Sequence, residues 1–207
     1  MSRSPRVAII FYSMHDHIAE LAEEEKKGIE AAGGQATLYG LEETLDEKVL
    51  GKMHVSSTRK MNSYPAATSK TLERYDAYLF GIPTRFGNMP SQWKALWDHT
   101  GAQWAAGSLA GKFAGVFVST GSQGGGQEET GYTLMTTLVH HGMLFIPLGY
   151  KDTPELGKLD EVHGGSPWGA GTVAGGDASR RPTELEKTIA KRQGESFYRL
   201  LSRVKFD

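Results

Sequence analysis

The stretch AYLFGI (residues 77–82), followed directly by PTRFGNMP (residues 83–90), decides the fold of this chain. The apolar run predicts a buried strand, because its length suits a strand and a proline closes it. Pro83 lacks a backbone donor and Pro90 constrains the chain again, so residues 83–90 are predicted to form a loop at the strand's carboxyl end. In open α/β sheets ligands bind at this edge, so the loop is a candidate binding site.

Apolar runs alternate with helical periods on both sides of this strand. The predicted strands span residues 6–12, 35–39, 77–82, 112–119 and 143–147, and the predicted helices span residues 18–32, 68–74, 91–104, 130–141 and 182–204. One or two helical turns are expected in 45–53 and a mobile loop in 54–65. This alternation predicts an α/β three-layer sandwich with a five-stranded parallel sheet. A ligand loop after the first strand favours the order 2-1-3-4-5, in a single domain over residues 1–207 with a glycine-rich elaboration at about 149–181.

Composition excludes several classes of protein. Lysine and arginine (23) nearly balance aspartate and glutamate (24), so no charge excess favours nucleic acid or an anionic membrane as a partner. The absence of cysteine removes thiolate catalysis, disulfides, iron–sulfur clusters and cysteine-ligated zinc. No window approaches the roughly 20 apolar residues of a membrane span, and the amino terminus lacks a secretory signal. We therefore expect a cytoplasmic protein.

A second candidate loop connects the first strand to the first helix. It consists of Ser13, Met14, His15, Asp16, His17 and Ile18. Free backbone N–H groups at a helix amino terminus bind anions, but this loop taken alone favours an ordinary turn in which Ser13 or Asp16 caps the helix. It contains no glycine and so matches neither the P-loop nor the dinucleotide-binding fingerprint. Two histidines and one carboxylate without a further ligand cluster predict no metal site.

A third loop follows the fourth strand. It consists of Ser119, Thr120, Gly121, Ser122, Gln123 and Gly124, and further glycines precede the next helix. Glycine lets the backbone approach a ligand closely. At the end of that helix, one of His140 and His141 would cap carbonyls and the other would point towards the crevice. Because the three loops follow the first, third and fourth strands, we expect them to converge on one crevice.

Five segments together resemble the WrbA family of flavodoxin-like NAD(P)H:quinone oxidoreductases, most closely its fungal branch of benzoquinone reductases and minor-allergen-like proteins. These segments are PTRFGNMP (83–90), STGSQGGGQE (119–128), HHGMLFIPLGY (140–150), GGSPWGAGT (164–172) and GGDASRRPTELE (175–186). The resemblance covers nearly the whole chain. It implies a flavodoxin-like fold, FMN as the cofactor, and NADH or NADPH as the hydride donor.

The resemblance also implies roles for individual residues. The FMN contacts fall on residues 13–18 for the phosphate, on Pro83, Thr84, Arg85, Phe86, Gly87 and Asn88 around the ring, and on residues 119–124 with His140. Trp104 and Phe86 would flank the quinone substrate, and His140 is the candidate proton donor. Similar proteins assemble as homotetramers, dimers of dimers whose active sites are completed by neighbouring subunits. Residues 149–181 are expected to help form those interfaces.

The first loop departs from the family pattern Ser-x-Tyr-Gly-His. The family's tyrosine, associated with the nicotinamide side of the pocket, is replaced by His15, and its glycine is replaced by Asp16. Asp16 tolerates unusual backbone angles but adds negative charge near a phosphate. A protonated His17 would offset part of that charge. We therefore expect weaker FMN binding, which weakens further as the pH rises.

The activity that the resemblance implies is a ping-pong reaction. A reduced nicotinamide delivers a hydride to FMN and leaves in its oxidised form. A quinone then enters the same pocket and is reduced by two electrons to the hydroquinone. A one-electron flavodoxin-like carrier is one alternative, although it would need an acidic docking face that this near-neutral chain does not offer. A stress-associated scaffold that binds FMN weakly is the other alternative, and Asp16 favours it.

Overall fold

The computed structural model describes residues 3–206, in which strands and helices alternate. The strands are β1 (Val7–Phe11), β2 (Ala36–Gly40), β3 (Ala77–Pro83), β4 (Phe113–Thr120), β5 (Leu144–Phe145) and β6 (Gly171–Val173). The α-helices are α1 (His17–Ala31), α2 (Glu47–Lys52), α3 (Thr71–Arg74), α4 (Ser91–Asp98), α5 (Gly101–Ala106), α6 (Gln127–His140) and α7 (Glu184–Leu201), and short 3-10 helices lie at Lys60–Ser63 and Pro154–Gly157. No helix among these residues is long and apolar enough to cross a membrane.

The sheet is parallel throughout and has the order β2-β1-β3-β4-β5, with β6 beside β4. The flavodoxin-like α/β fold predicted from the sequence is confirmed. In register, Phe11 lies opposite Gly81 at the end of β1, and Pro83 lies opposite Ser119 near the end of β4. The loops that follow β1, β3 and β4 therefore leave the sheet side by side at one edge.

Helices cover both faces of the sheet. Phe80 on β3 packs edge-on against Trp93 of α4, with ring centroids 5.2 Å apart. A β-carbon at the next residue, Gly81, would point to the opposite face and meet Ile18 of α1 at 2.6 Å. On that face α1 and α7 cross closely, because a β-carbon at Gly194 would lie 2.0 Å from a backbone carbonyl of α1. The core is thus built from β1, β3 and β4, which are buried almost completely.

The predicted helix over residues 91–104 is wrong in one respect, because the structure divides it into α4 and α5. The hydroxyl of Thr100 donates a 2.6 Å hydrogen bond to the carbonyl of Trp97 and lies 2.8 Å from Nε2 of His141. A hydroxyl that takes a helical carbonyl competes with the continuing helix. The apolar period is therefore real, but the helix is interrupted at His99 and Thr100.

The predicted fifth strand, residues 143–147, is much shorter in the structure. β5 pairs with the beginning of β4, and the chain then leaves the sheet. The glycine-rich excursion returns it as β6, which pairs Gly171–Val173 with Val118–Thr120 at the far end of β4. The sixth strand was not predicted, because three residues between glycine-rich turns carry no detectable alternation.

The expectation of a mobile loop at residues 54–65 is also wrong. Arg59 and Met61 are buried, and residues 60–63 form a 3-10 helix. The Arg59 guanidinium donates to Glu43 at 2.9 Å, and the Met61 sulfur accepts from the Ser13 backbone N–H at 3.1 Å. This polar segment is held by partners distant in sequence, which a periodicity search does not detect.

Candidate active site

The three loops at the carboxyl edge of the sheet enclose a pocket of about 110 Å³. It is lined by Ser13, Met14, His15, His17, Ile18, Pro83, Thr84, Arg85, Ser119, Thr120 and Gly121, together with Ala174 and Ala178. Eleven of these residues were predicted from the sequence, and the structure brings them together. The volume lies below the roughly 300–1,000 Å³ of a complete ligand site. The enclosed space therefore suits only part of a ligand of that size.

The phosphate loop, residues 13–18, presents a row of backbone donors at the amino terminus of α1. Ser13 Oγ accepts from the N–H of Ala19 at 3.2 Å, so this serine supports the first turn of the helix. Within residues 3–206, the backbone N–H groups of residues 14–18 have no hydrogen-bond acceptor. Consecutive free N–H groups at a helix amino terminus bind phosphate. The loop therefore fits the phosphate of FMN.

Asp16 occupies the position where the family has glycine. Its backbone is left-handed (φ 66°, ψ −4°), a conformation that aspartate tolerates better than most residues. Its Oδ1 accepts the backbone N–H of Lys60 at 2.8 Å. The carboxylate thus ties the phosphate loop to the 3-10 helix at residues 60–63. Asp16 therefore adopts the left-handed backbone that glycine would adopt here, and its side chain adds a hydrogen bond to Lys60.

His17 is buried and joins the phosphate loop to the segment that precedes α7. Its Nε2 lies 2.8 Å from the carbonyl oxygen of Arg180, which requires the imidazole to donate. Burial lowers the pKa of His17 and outweighs this hydrogen bond, which acts in the opposite direction. The expectation that a protonated His17 offsets the charge of Asp16 is therefore wrong. Neutral His17 instead fixes the position of the loop.

His15 lies half-buried beside several arginines. Burial lowers its pKa, and the positive charges of Arg85, Arg181 and Arg59 lower it further, against the opposing effect of Asp16. Arg181 also donates from Nη1 to the carbonyl oxygen of His15 at 2.7 Å. The imidazole at this position is therefore neutral near pH 7 and surrounded by net positive charge.

The loop after β3 is a tight turn that leaves the Phe86 ring exposed to solvent. Arg85 and Asn88 exchange two backbone hydrogen bonds (2.7 and 3.0 Å), and both central residues, Phe86 (φ 56°) and Gly87 (φ 76°), are left-handed. Such a pair of positive φ angles defines a type I′ turn. Phe86 is fully exposed. Thr84, Arg85 and Pro83 reach the pocket, whereas Phe86, Gly87 and Asn88 stand outside it.

The loop after β4 divides between two cavities. Ser119, Thr120 and Gly121 line the pocket at the phosphate loop. The remaining predicted residues, Ser122, Gln123 and Gly124, line a separate cavity of about 370 Å³ near the start of α6. Thr84 Oγ1 accepts from Thr130 of α6 at 2.8 Å, so α6 connects this loop to the turn after β3.

Two predicted site residues lie far from the pocket within one chain. Trp104 is on α5 and 60% exposed, and His140 is exposed at the end of α6. α6 ends just before β5, whose Leu144 pairs with Phe113 at the beginning of β4. His140 therefore lies at the amino edge of the sheet, opposite the pocket. Trp104 lies near it, because Thr100 at the start of α5 contacts His141.

Residues 174–181 close the pocket on the third side. Ala174 and Ala178 line it, while Arg180 and Arg181 contact His17 and His15. Sequence reasoning marked this segment as part of a family motif but assigned it to interfaces rather than to the site. The sequence feature that could have identified this segment as part of the site is its pair of adjacent arginines, Arg180 and Arg181. Among residues 3–206, no cluster of three or more histidine, aspartate or glutamate side chains is arranged to hold a metal ion.

Comparison with known proteins adds to this geometry. The model of the NADPH-dependent FMN reductase family matches residues 4–151. The chain belongs to that family. It is 61% identical to the NAD(P)H quinone oxidoreductase PST3 of Candida albicans, over 97% of this chain and 100% of that protein. It is 53% identical to the minor allergen Alt a 7 of Alternaria alternata, over 97% of this chain and 98% of the allergen.

A solved structure shows the same fold. The WrbA-like flavodoxin protein from Agrobacterium tumefaciens superposes with a TM-score of 0.65 at 20% identity, over 98% of this chain and 100% of that one. The predicted kinship with fungal NAD(P)H quinone oxidoreductases is confirmed, and the WrbA-like structure shows the predicted fold. This member of the FMN reductase family is an NAD(P)H-dependent oxidoreductase, and its cofactors are FMN and a reduced nicotinamide, as the sequence predicted.

Proposed function

We propose that this protein reduces quinones such as benzoquinones by two electrons to hydroquinones, using FMN and NADH or NADPH in a ping-pong reaction. One observation carries the proposal: the three predicted loops converge on a pocket whose phosphate loop leaves consecutive backbone donors free. The names of relatives more than 50% identical along almost the whole chain support the choice of a quinone as acceptor.

Residues of the three loops would hold FMN in this arrangement. The free N–H groups of residues 14–18 suit the phosphate, and the backbones of Thr84, Arg85 and Ser119–Gly121 suit the sugar chain and the ring. Bound FMN supplies the redox chemistry, since it accepts a hydride from a reduced nicotinamide and passes two electrons to an acceptor. The arginines and backbone donors of this site favour negative charge on the reduced cofactor.

We propose that the functional unit is a homotetramer, a dimer of dimers. Trp104 and His140 lie at the edge of the sheet opposite the pocket and are exposed there, so they would reach a flavin only in a neighbouring copy. Trp104, with the exposed ring of Phe86, would then enclose a flat substrate, and His140 would supply a proton to the quinone oxygen. When a neighbouring subunit supplies Trp104 and His140, these side chains would cover the flavin site and exclude water from it.

Mixed oligomers test this arrangement directly. Trp104→Ala removes the residue offered to a neighbour, and Gly121→Leu fills the pocket within the same chain. Each variant alone is expected to lose most benzoquinone reductase activity. Co-expression is expected to restore part of it, because some sites then combine an intact pocket with an intact tryptophan. Mixed oligomers without restored activity would rule out sharing of sites between subunits.

Steady-state reduction of benzoquinone with NADH and with NADPH, with and without added FMN, tests the reaction itself. We expect FMN-dependent turnover and parallel lines in double-reciprocal plots. A purified protein that stays colourless in excess FMN and shows no turnover would instead be the weakly binding scaffold. Cell fractionation tests the accompanying proposal of a cytoplasmic location.

A further inference from the structure

A second cavity, of about 540 Å³, adjoins the pocket at the phosphate loop. It lies between that loop, the segment after α2 and the segment before α7. The two spaces share Met14, His15 and Ala178, so they are contiguous. The volume falls within the roughly 300–1,000 Å³ of small-molecule sites. FMN on the free amides of residues 14–18 would leave this cavity available for another ligand.

A buried cation with a free donor lines the cavity. The Arg59 side chain is 5% exposed; its Nε donates to Asn62 at 3.1 Å and its Nη2 to Glu43 at 2.9 Å. Its Nη1 is buried and has no acceptor among residues 3–206. A buried, charged N–H group without an acceptor is costly, and such exceptions point to a missing partner. An anionic oxygen would satisfy it.

Further basic and imidazole groups surround the same space. Arg181 lines the cavity, and its side chain is 47% exposed although it pairs with Glu20. His54 lines it as well, and its left-handed backbone (φ 55°) ends α2 in a Schellman cap, in which the N–H groups of His54 and Val55 donate to the carbonyls of Gly51 and Leu50. With His15, the cavity therefore combines two guanidinium groups and two imidazoles drawn from three segments.

Two carboxylates also line the cavity, but each is engaged. Asp16 accepts the backbone N–H of Lys60 at 2.8 Å, and Asp177 accepts the N–H and hydroxyl of Ser179 at 3.1 and 2.8 Å. Burial is the main cause of the lowered pKa of His15, and the positive charges of Arg85 and of Arg181 each affect this pKa more than the negative charge of Asp16 does. An entering anion would meet net positive charge at this imidazole.

We propose that this cavity is a second phosphate subsite, which holds a phosphate group of the reduced nicotinamide dinucleotide through Arg59, Arg181 and the two histidines. The proposal rests on the proposed function, which supplies the dinucleotide. Two groups share the required chemistry: the 2′-phosphate of NADPH and the pyrophosphate present in both dinucleotides. Guanidinium groups bind either one through charge-assisted hydrogen bonds.

Calorimetry on the FMN-loaded protein tests the subsite with two probes, 2′,5′-ADP for the 2′-phosphate and ADP-ribose for the pyrophosphate. At least one is expected to bind while FMN stays in place, and the better probe identifies the phosphate that is recognised. Arg181→Gln is expected to weaken that binding by about 10-fold or more, the usual effect of a lost charge-assisted hydrogen bond. The probe should also raise the pKa of His15, measured by NMR of its imidazole protons.

Two further variants keep the result interpretable. His54→Gln changes the cavity without touching the phosphate loop, so it separates loss of the subsite from displacement of that loop by Arg181→Gln. Arg199→Gln is the matched control, because Arg199 is an exposed arginine of α7 that also pairs with a glutamate, Glu195. It should leave probe binding unchanged.

The proposal is overturned if neither probe binds the FMN-loaded protein, if either probe acts by releasing FMN, or if both cavity variants bind the probes like the unaltered protein. Its failure is distinguishable from failure of the proposed function. Normal benzoquinone turnover with an unchanged KM for both dinucleotides in Arg181→Gln and His54→Gln would overturn the subsite alone. Tight probe binding without any quinone turnover would overturn the quinone reductase function and support the subsite.

Discussion

The guanidinium of Arg180 lies 3.0 Å from the completely buried carboxylate of Glu186. The same carboxylate accepts the backbone N–H groups of Gly164, Val173 and Thr183, at 2.8–3.1 Å, and the hydroxyl of Thr172 at 2.8 Å. One side chain at the start of α7 therefore anchors the second half of the glycine-rich excursion, from Gly164 onwards. Because the Arg180 carbonyl also receives His17, this anchor extends to the phosphate loop.

Glu186→Gln is expected to lower the free energy of unfolding by about 2–4 kcal/mol. Breaking a buried ion pair costs about 3–5 kcal/mol, and partial exposure of Arg180 reduces that figure. FMN affinity should fall as well, because the contact between Arg180 and His17 loses its support. Urea denaturation and flavin titration measure the two effects. Glu184→Gln, at an exposed glutamate of the same helix turn, is the control and should change neither.

Substitutions of Asp16 separate its conformational role from its charge. Asp16→Asn keeps a left-handed backbone accessible and retains an oxygen for the Lys60 N–H, so FMN affinity should stay the same or rise. Asp16→Ala loses both features, and the left-handed conformation then costs about 1–2 kcal/mol, which corresponds to roughly 10-fold weaker FMN binding. Fluorescence titration of FMN gives both values. Equal weakening in the two variants would contradict this division.

Glu25 predicts a dependence of stability on pH. The side chain is fully buried on α1, neither carboxylate oxygen has a partner among residues 3–206, and burial alone raises its pKa well above the usual value. Its folded pKa exceeds its unfolded pKa, so its contribution to stability is complete below about pH 4.3 and is lost as the pH rises through the folded pKa.

Glu25→Met is therefore expected to stabilise the protein at pH 8 by about 1–3 kcal/mol and to flatten the decline in stability between pH 5 and pH 8. Thermal unfolding across this range measures the slope. Glu30→Gln, at a half-exposed glutamate on the same helix, should keep the slope of the unaltered protein. An unchanged slope in Glu25→Met would show that another group causes it.

Gly194→Ala tests the close crossing of α1 and α7. The added β-carbon would stand 2.0 Å from the Glu25 carbonyl oxygen, so the helices must separate. We expect a loss of about 1–3 kcal/mol or more in unfolding free energy. Gly51→Ala in α2 is the matched control, because nothing lies within 4 Å of its added β-carbon. That substitution should stabilise the helix by about 0.5–1 kcal/mol.

The sequence by itself determined the fold class and most of the pocket. The apolar run at residues 77–82 and its proline-bounded loop predict a buried strand whose carboxyl end meets a ligand, and the register of β1, β3 and β4 places all three predicted loops together. Strand burial and loop chemistry are local properties, so they can be inferred from neighbouring residues. The Thr183–Glu186 capping box at the start of α7 is local in the same sense.

Only the tertiary structure decided which groups are charged, engaged or shared. The neutral state of His17, the anchoring of Asp16 to Lys60, the free donor of Arg59 and the position of His140 at the opposite edge all depend on partners distant in the chain. Burial and long-range hydrogen bonds set the pKa values and orientation of such groups. Sequence spacing contains no information on either, because these contacts form only when the segments pack together.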